Sequence, residues 1–167
     1  VAVPLPVRAL RNRDTVMATP IDTAAAHRYF SAHCFNETWS LLDQTERTEA
    51  DQREMLGRTL ASLWHWRQRA DVTPQNLSVG CWQAARVCAV VGLGDLARRY
   101  AQESLETAGD DPFYRGYALE ALARAEATAG HGDASRQHIA AAHALAPSIT
   151  DADSRIALLA DLATIIL

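Results

Sequence analysis

Apolar side chains recur along the chain at the three- and four-residue spacing of an amphipathic α-helix. Phe35, Trp39 and Leu42 stand at positions i, i+4 and i+7, and the leucines of residues 56–63 repeat this pattern. Residues spaced in this way lie on one face of a helix. No segment combines strand-like alternation with turn residues. The pattern therefore predicts an all-α fold.

Capping residues mark where these helices begin. Three pairs place a capping side chain before a proline at the first helical position: Thr19–Pro20, Thr73–Pro74 and Asp111–Pro112. Thr48 and Asp51 form a capping box, and Gly109 and Pro147 mark helix ends. Together with the apolar spacing, these signals predict seven helices, over residues 21–44, 49–70, 74–91, 94–108, 112–129, 132–146 and 151–165.

One segment occurs twice. Residues 89–104 (AVVGLGDLARRYAQES) align with residues 127–142 (ATAGHGDASRQHIAAA), so that Gly-x-Gly-Asp follows a predicted helix in both copies. A dinucleotide-binding loop follows a strand instead, and a Walker loop needs a lysine, which this chain lacks. The repeat therefore predicts a duplicated helix–turn–helix. Its first glycine ends one helix in the left-handed region, and its aspartate caps or begins the next.

The duplicated unit resembles the helical hairpins of the tetratricopeptide-repeat family. The resemblance is carried by the glycine of the turn, by Pro147 and by small residues at the positions of close helix contact. These small residues are Ala85, Ala97, Ser104, Ala123, Ser135 and Ala142. The chain departs from the family in its period of 38 residues, against about 34, and in Cys88 and Glu126, where an aromatic residue is usual. The resemblance implies a right-handed α-solenoid of about three hairpins plus a C-terminal capping helix. It would form one domain over residues 20–167, after an irregular leader of residues 1–19.

The resemblance also implies a concave groove that binds a peptide or protein segment. Six residues would face this groove: Val79, Trp82, Arg86, Tyr117, Glu120 and Arg124. The two arginines have the fork-shaped donors that grip carboxylates of an acidic peptide, and Trp82 would supply an apolar platform. In the alternative interpretation, Arg86 pairs with Glu120 across neighbouring helices and Trp82 belongs to the core.

A second candidate is a catalytic or small-molecule pocket around Glu54, His65 and Trp66. Trp64 and Trp66 point in different directions from one helix, so one of them, expected to be Trp66, packs on another neighbour or lines a pocket. His65 between them could act as a base beside a carboxylate, or be a hydrogen-bonded structural residue. No two histidines have the three- or four-residue spacing of a helical metal site, so no metal and no cofactor are predicted.

The charge and the cysteine content of the chain argue against several classes of function. The formal net charge is −4, which gives no electrostatic drive toward nucleic acid, and no apolar run reaches membrane-spanning length. The chain has 16 arginines and no lysine, which excludes covalent catalysis by a lysine side chain. The three cysteines are expected to be free thiols in a reducing compartment, the cytoplasm.

The favoured interpretation is therefore a non-catalytic protein–protein interaction module. The C-terminal stretch LLADLATIIL is apolar to its last residue. It is expected either to fold back on the preceding hairpin or to join a second copy of the chain, so a structural homo-oligomer built through the C-terminal helix is a third possibility.

Overall fold

Seven α-helices follow one another along the chain in a computed structural model that describes residues 21–167. The predicted leader, residues 1–19, and the pair Thr19–Pro20 lie outside the described residues. The helices are α1 Thr23–Leu42, α2 Glu49–Arg67, α3 Pro74–Val90, α4 Gly94–Thr107, α5 Pro112–Thr128, α6 Gly132–Leu145 and α7 Ala152–Ala163, with a 3-10 turn at Ala146–Ser148 before α7. No strand occurs among the described residues, so the all-α prediction is confirmed for them.

The helix starts follow the capping chemistry of the sequence. The side chains of Thr48 and Asp51 exchange hydrogen bonds with each other's backbone N–H at the start of α2. Thr73 forms the same box with Asn76 at the start of α3. The first helix differs from the prediction, because Asp22 accepts a hydrogen bond from the N–H of Ala25 and α1 begins after it.

Consecutive helices pack as hairpins, α1 with α2, α3 with α4 and α5 with α6. The hairpins stack through α2 on α3, α4 on α5 and α3 on α5. The six small residues singled out in the sequence lie in these contacts, and none exposes more than 1% of its surface. Small side chains let helix backbones approach closely, and the arrangement is compatible with a helical-repeat fold.

The duplicated Gly-x-Gly-Asp segments have the same backbone geometry. Gly92 has φ of 79° and Gly130 has φ of 80°. In each copy the glycine N–H and the next N–H bond to carbonyls of the last helical turn, the pairing of a Schellman motif. Asp95 and Asp133 do not cap the next helix; they lie in its first turn. The segments are therefore turns between helices, as the repeat predicts.

The C-terminal helix α7 folds back onto α5. Leu158 and Leu162 are buried in a cluster with Ala142 of α6 and Ile149 of the connection. On the other side of α7, Ile156 is 63% exposed. α7 thus packs onto the preceding helices with one face and leaves Ile156 uncovered on the other.

Within residues 21–167, no helix combines the length and the apolar character that crossing a bilayer requires.

Two glycine substitutions test the turn geometry. An alanine at Gly92 would meet no atom within 4 Å, so its cost comes from the left-handed backbone alone. We expect Gly92→Ala to lower the free energy of unfolding by about 1–2 kcal/mol. Gly57 also has open space around it but lies inside α2. Gly57→Ala is expected to raise the free energy of unfolding by about 0.5–1 kcal/mol. Urea unfolding of both variants measures the two effects, and equal signs would contradict the assigned turn.

Candidate functional site

A buried carboxylate on α5 gathers the residues that the sequence placed in the groove. Glu120 has no exposed surface. Its Oε2 accepts a hydrogen bond from the indole Nε1 of Trp82 at 3.0 Å. Its Oε1 accepts two from Arg124, from Nε at 2.8 Å and from Nη2 at 2.6 Å, and lies 3.7 Å from Nη1 of Arg86. Three side chains from α3 and α5 therefore converge on one carboxylate.

Asp161 extends this network to α7. Nη2 of Arg86 donates to Oδ1 of Asp161 at 2.9 Å. Nη2 of Arg124 donates to the backbone carbonyl of Asp161 at 3.1 Å and to Oγ1 of Thr164 at 2.8 Å. Two guanidinium groups and two carboxylates thus balance in charge. We name Trp82, Arg86, Glu120, Arg124 and Asp161 the ion network.

Both arginines meet carboxylates of their own chain. The pairing of Arg86 with Glu120 across neighbouring helices is the alternative that the sequence left open, and it is the arrangement in the structure. Arg86 also lies over the ring of Trp39, with 5.7 Å from its guanidinium carbon to the ring centroid. Among the described residues, its Nη1 is buried without a hydrogen-bond partner. Neither guanidinium presents an open fork to an acidic peptide.

Tyr117 packs beside the ion network. Its ring packs edge-on against Trp82 and Phe113, with centroids 4.9 Å and 5.1 Å away. Burial, followed by the negative charges of Asp161 and Glu120, raises the pKa of Tyr117 to about 12. The phenol therefore stays neutral at physiological pH.

Three cavities adjoin at Tyr114, which lines all of them, and we call them together the trough. The central cavity has a volume of about 160 Å³, and its lining is mainly apolar. A second cavity of about 270 Å³ extends toward α1 and α2, and a third of about 410 Å³ extends toward the start of α7. The central lining consists of Ser78, Val79, Trp82, Ser104, Phe113, Tyr114 and Tyr117.

Hydrogen bonds within the protein fix three of the side chains that line the central cavity. The indole of Trp82 is fixed by its hydrogen bond to Glu120. Ser78 and Ser104 each donate to the other's backbone carbonyl, at 2.9 Å in both cases. These two hydroxyls therefore have their main hydrogen-bonding needs met within the protein, and the cavity suits an apolar group.

The second cavity is more polar. Asn36, Gln75 and Trp66 line it together with apolar side chains. The side-chain amides of Asn36 and Gln75 take part in no hydrogen bond among the described residues. Each amide carries one acceptor and two donor hydrogens, the complement of a peptide backbone.

The structure does not bring Glu54, His65 and Trp66 together, which corrects the predicted alternative pocket. Only Trp66 lines the second cavity, where Arg69 stacks on its ring at 3.9 Å. Glu54 accepts a hydrogen bond from Arg58 at 2.7 Å. Glu54 and His65 are eleven residues apart on one helix, which is roughly 16 Å. The predicted base and carboxylate therefore do not face one substrate.

The buried thiols are not poised for reaction. Burial raises the pKa of Cys81 to about 12 and that of Cys88 to about 11. Both stay protonated near neutral pH, where the thiolate would be the nucleophile. The part of the chain that the structure describes contains no disulfide among its three cysteines and no cluster of three metal-binding side chains.

Sequence reasoning missed Asp161 and Tyr114. Asp161 lies between the buried Leu158 and Leu162 in sequence, and a carboxylate beside the apolar stripe of a capping helix is a signal for a buried partner. Tyr114 follows Phe113 in the first turn of α5. Nothing in its local sequence marks it as the meeting point of three cavities.

Comparisons of the chain with protein-family models, with curated proteins and with solved structures give no match. The resemblance to tetratricopeptide repeats therefore rests on the duplicated helix–turn–helix and its small contact residues.

Glu120→Gln tests the ion network. The substitution removes the buried negative charge and leaves Arg86 and Arg124 with one carboxylate between them. We expect the free energy of unfolding to fall by about 3–5 kcal/mol, the usual cost of removing one member of a buried pair. The matched control is Glu49→Gln, since Glu49 pairs with Arg53 on the exposed surface. Exposed pairs contribute little. A loss no larger than that of the control, in urea unfolding, would refute the importance of the network.

The raised pKa of Tyr117 predicts a loss of stability at high pH. The phenol of an unfolded chain ionises near pH 10, whereas in the folded chain the pKa is about 12. The unfolded state therefore loses its proton first, and the free energy of unfolding falls as the pH rises through this interval. Urea unfolding at a series of pH values measures the decrease. Tyr117→Phe should make the decrease smaller, and Cys81 and Cys88, whose pKa values are also raised by burial, contribute to what remains. An unchanged slope in this variant would count against the assignment.

Proposed function

We propose that the chain is a non-catalytic interaction module that binds an extended peptide segment of a partner protein in the trough. In this proposal the fold is a right-handed α-solenoid of tetratricopeptide-repeat type, with three hairpins and α7 as the capping helix. The observation that carries the proposal is the row of three cavities adjoining at Tyr114.

The central cavity would hold one large apolar side chain of the peptide. Its volume of about 160 Å³ suits such a side chain, and its walls are aromatic. Interfaces draw most of their binding energy from a few buried anchors of this kind. Walls that are already held in place bind at a lower cost in conformational entropy.

The side-chain amides of Asn36 and Gln75 would form hydrogen bonds with the peptide backbone on one side of the apolar side chain. An extended strand presents unpaired N–H and C=O groups, and a carboxamide satisfies both. Because these amides are neutral, as is the central cavity, the expected ligand is an uncharged, apolar-centred segment.

Of the residues predicted for the groove, Trp82 and Tyr117 would contact the peptide, with Val79. Arg86, Glu120 and Arg124 would act behind them as positioning residues, since they hold Trp82 and the α7 end of the site. The proposed partner is therefore recognised by shape and apolar contact rather than by a carboxylate clamp.

The proposal places the module in the cytoplasm. Cys34, Cys81 and Cys88 are all free thiols. Free cysteines are typical of reducing compartments.

Selection of peptides from a random displayed library tests the proposed site. Peptides that bind the wild-type protein should contain a large apolar residue, and Val79→Glu should weaken them by about tenfold or more, because it puts a charge into the apolar cavity. Ile156→Glu places the same side chain on the exposed face of α7 and should leave the dissociation constant unchanged. Fluorescence anisotropy gives the constants, and circular dichroism checks that both variants fold.

Two results would contradict the proposal. One is that selection enriches no peptide. The other is that the selected peptides bind Val79→Glu as tightly as the wild type.

Self-association through α7 is the second candidate, and one observation favours it. Ile156 is 63% exposed and Ile166 is 89% exposed, so the outer face of the C-terminal segment offers apolar area to a second copy. Measuring the solution mass of the wild type and of Ile156→Asp decides between a monomer and such an oligomer. The catalytic alternative has no comparable support, because Glu54 and His65 do not converge.

A further inference from the structure

Two histidines face each other across the contact between α1 and α2. Nδ1 of His27, on α1, lies 2.8 Å from Nδ1 of His65, on α2. Both rings are half-buried, and their centroids are 5.0 Å apart. Neither ring makes another hydrogen bond within residues 21–167. The packing of α1 on α2 and the hydrogen bond between the two nitrogens therefore hold the rings together.

The chemistry of this contact involves two lone pairs and one proton. In neutral imidazole one ring nitrogen carries hydrogen and the other is an acceptor. A hydrogen bond between the two Nδ1 atoms therefore places one proton between them. A divalent cation could bind both Nδ1 atoms when each ring carries its hydrogen on Nε2 instead and the shared proton is released to solvent, because neutral imidazole nitrogen is a common metal ligand. At a separation of 2.8 Å the cation would lie beside the line that joins the two nitrogens.

We propose that His27 and His65 form a two-imidazole binding site for a divalent transition-metal cation, with Cu²⁺ the preferred ion. Nitrogen ligands about 2.0–2.1 Å from a metal lie about 2.9 Å apart when adjacent in a square plane and about 3.3 Å apart in a tetrahedron. The observed separation of 2.8 Å is close to the square-planar value. Square-planar nitrogen sites are typical of Cu²⁺ and Ni²⁺, and Cu²⁺ binds most tightly in the first-row series.

The surroundings of the pair favour this role. The ring of Trp64 packs against both imidazoles, with centroids 5.3 Å from His27 and 4.9 Å from His65. Phe30 packs against His65 at 5.3 Å. The aromatic side chains restrict the rotation of both rings.

The protein would supply two ligands, with water at the remaining positions. No group of three metal-binding side chains exists among the described residues. The site would therefore bind metal more weakly than a closed structural site and leave coordination positions open. Bound metal would also join α1 to α2 and stabilise this hairpin by an amount that rises with the logarithm of the metal concentration above the dissociation constant. This inference is independent of the proposed peptide-binding trough.

Titration with Cu²⁺ alone tests the site in the full chain at about pH 7.5, where neutral histidine predominates. Quenching of tryptophan fluorescence reports binding next to Trp64, and electron paramagnetic resonance counts the nitrogen ligands. We expect two nitrogens in the wild type and one in His27→Ala or His65→Ala. Each of these variants should bind Cu²⁺ about a hundredfold more weakly, because the second contact no longer benefits from the first.

His143→Ala is the matched control, since His143 is an exposed histidine on α6, and its Cu²⁺ affinity should equal that of the wild type. Circular dichroism confirms that each variant folds. The proposal is overturned if the wild type binds Cu²⁺ no more tightly than the His27→Ala, His65→Ala double variant. It is also overturned if the resonance spectrum shows a single nitrogen in the wild type.

Discussion

The buried carboxylate of Glu120 links α3 and α5 directly and, through two arginines, α7. A buried ionised group is costly unless charges and hydrogen bonds compensate it. Here the indole of Trp82 and the guanidinium groups of Arg86 and Arg124, on α3 and α5, compensate the charge of Glu120. Arg86 in turn donates a hydrogen bond to Asp161 on α7. The hydrogen bonds and ion pairs around Glu120 therefore constrain the relative positions of α3, α5 and α7. The trough depends on them as well, because Trp82 forms part of both.

The helices could be predicted from the sequence because their determinants are local. The capping boxes at Thr48 and Thr73 join residues three apart, and the left-handed glycines act on the turn that contains them. Small residues such as Ala85 and Ser135 also carry information, since a short side chain in a helix with an apolar face marks a close contact. These features depend on neighbours along the chain, so the amino-acid sequence alone is sufficient to predict them.

The candidate sites could be predicted only in part, because they depend on partners far away in sequence. Whether Arg86 faces a ligand or an internal carboxylate is decided by Asp161, 75 residues later. His27 and His65 gave no metal signal in the sequence, since that signal was sought at helical spacing within one helix, whereas they meet across a hairpin. Trp66 does line a cavity, but the residues that share it come from α1, α3 and α5 rather than from its own helix.

The contact between Arg86 and Asp161 has a consequence for how such a stack could grow. In a regular solenoid each repeat touches only the next, so units can be added or removed at an end with a nearly constant change in stability. Here α7 reaches past α5 to a residue of α3. A further hairpin appended after α7 would have to compete with this bond or leave it intact and start from a different surface. The contact therefore ties α7 to two earlier helices at once, so α7 is not equivalent to one more interchangeable layer of the stack.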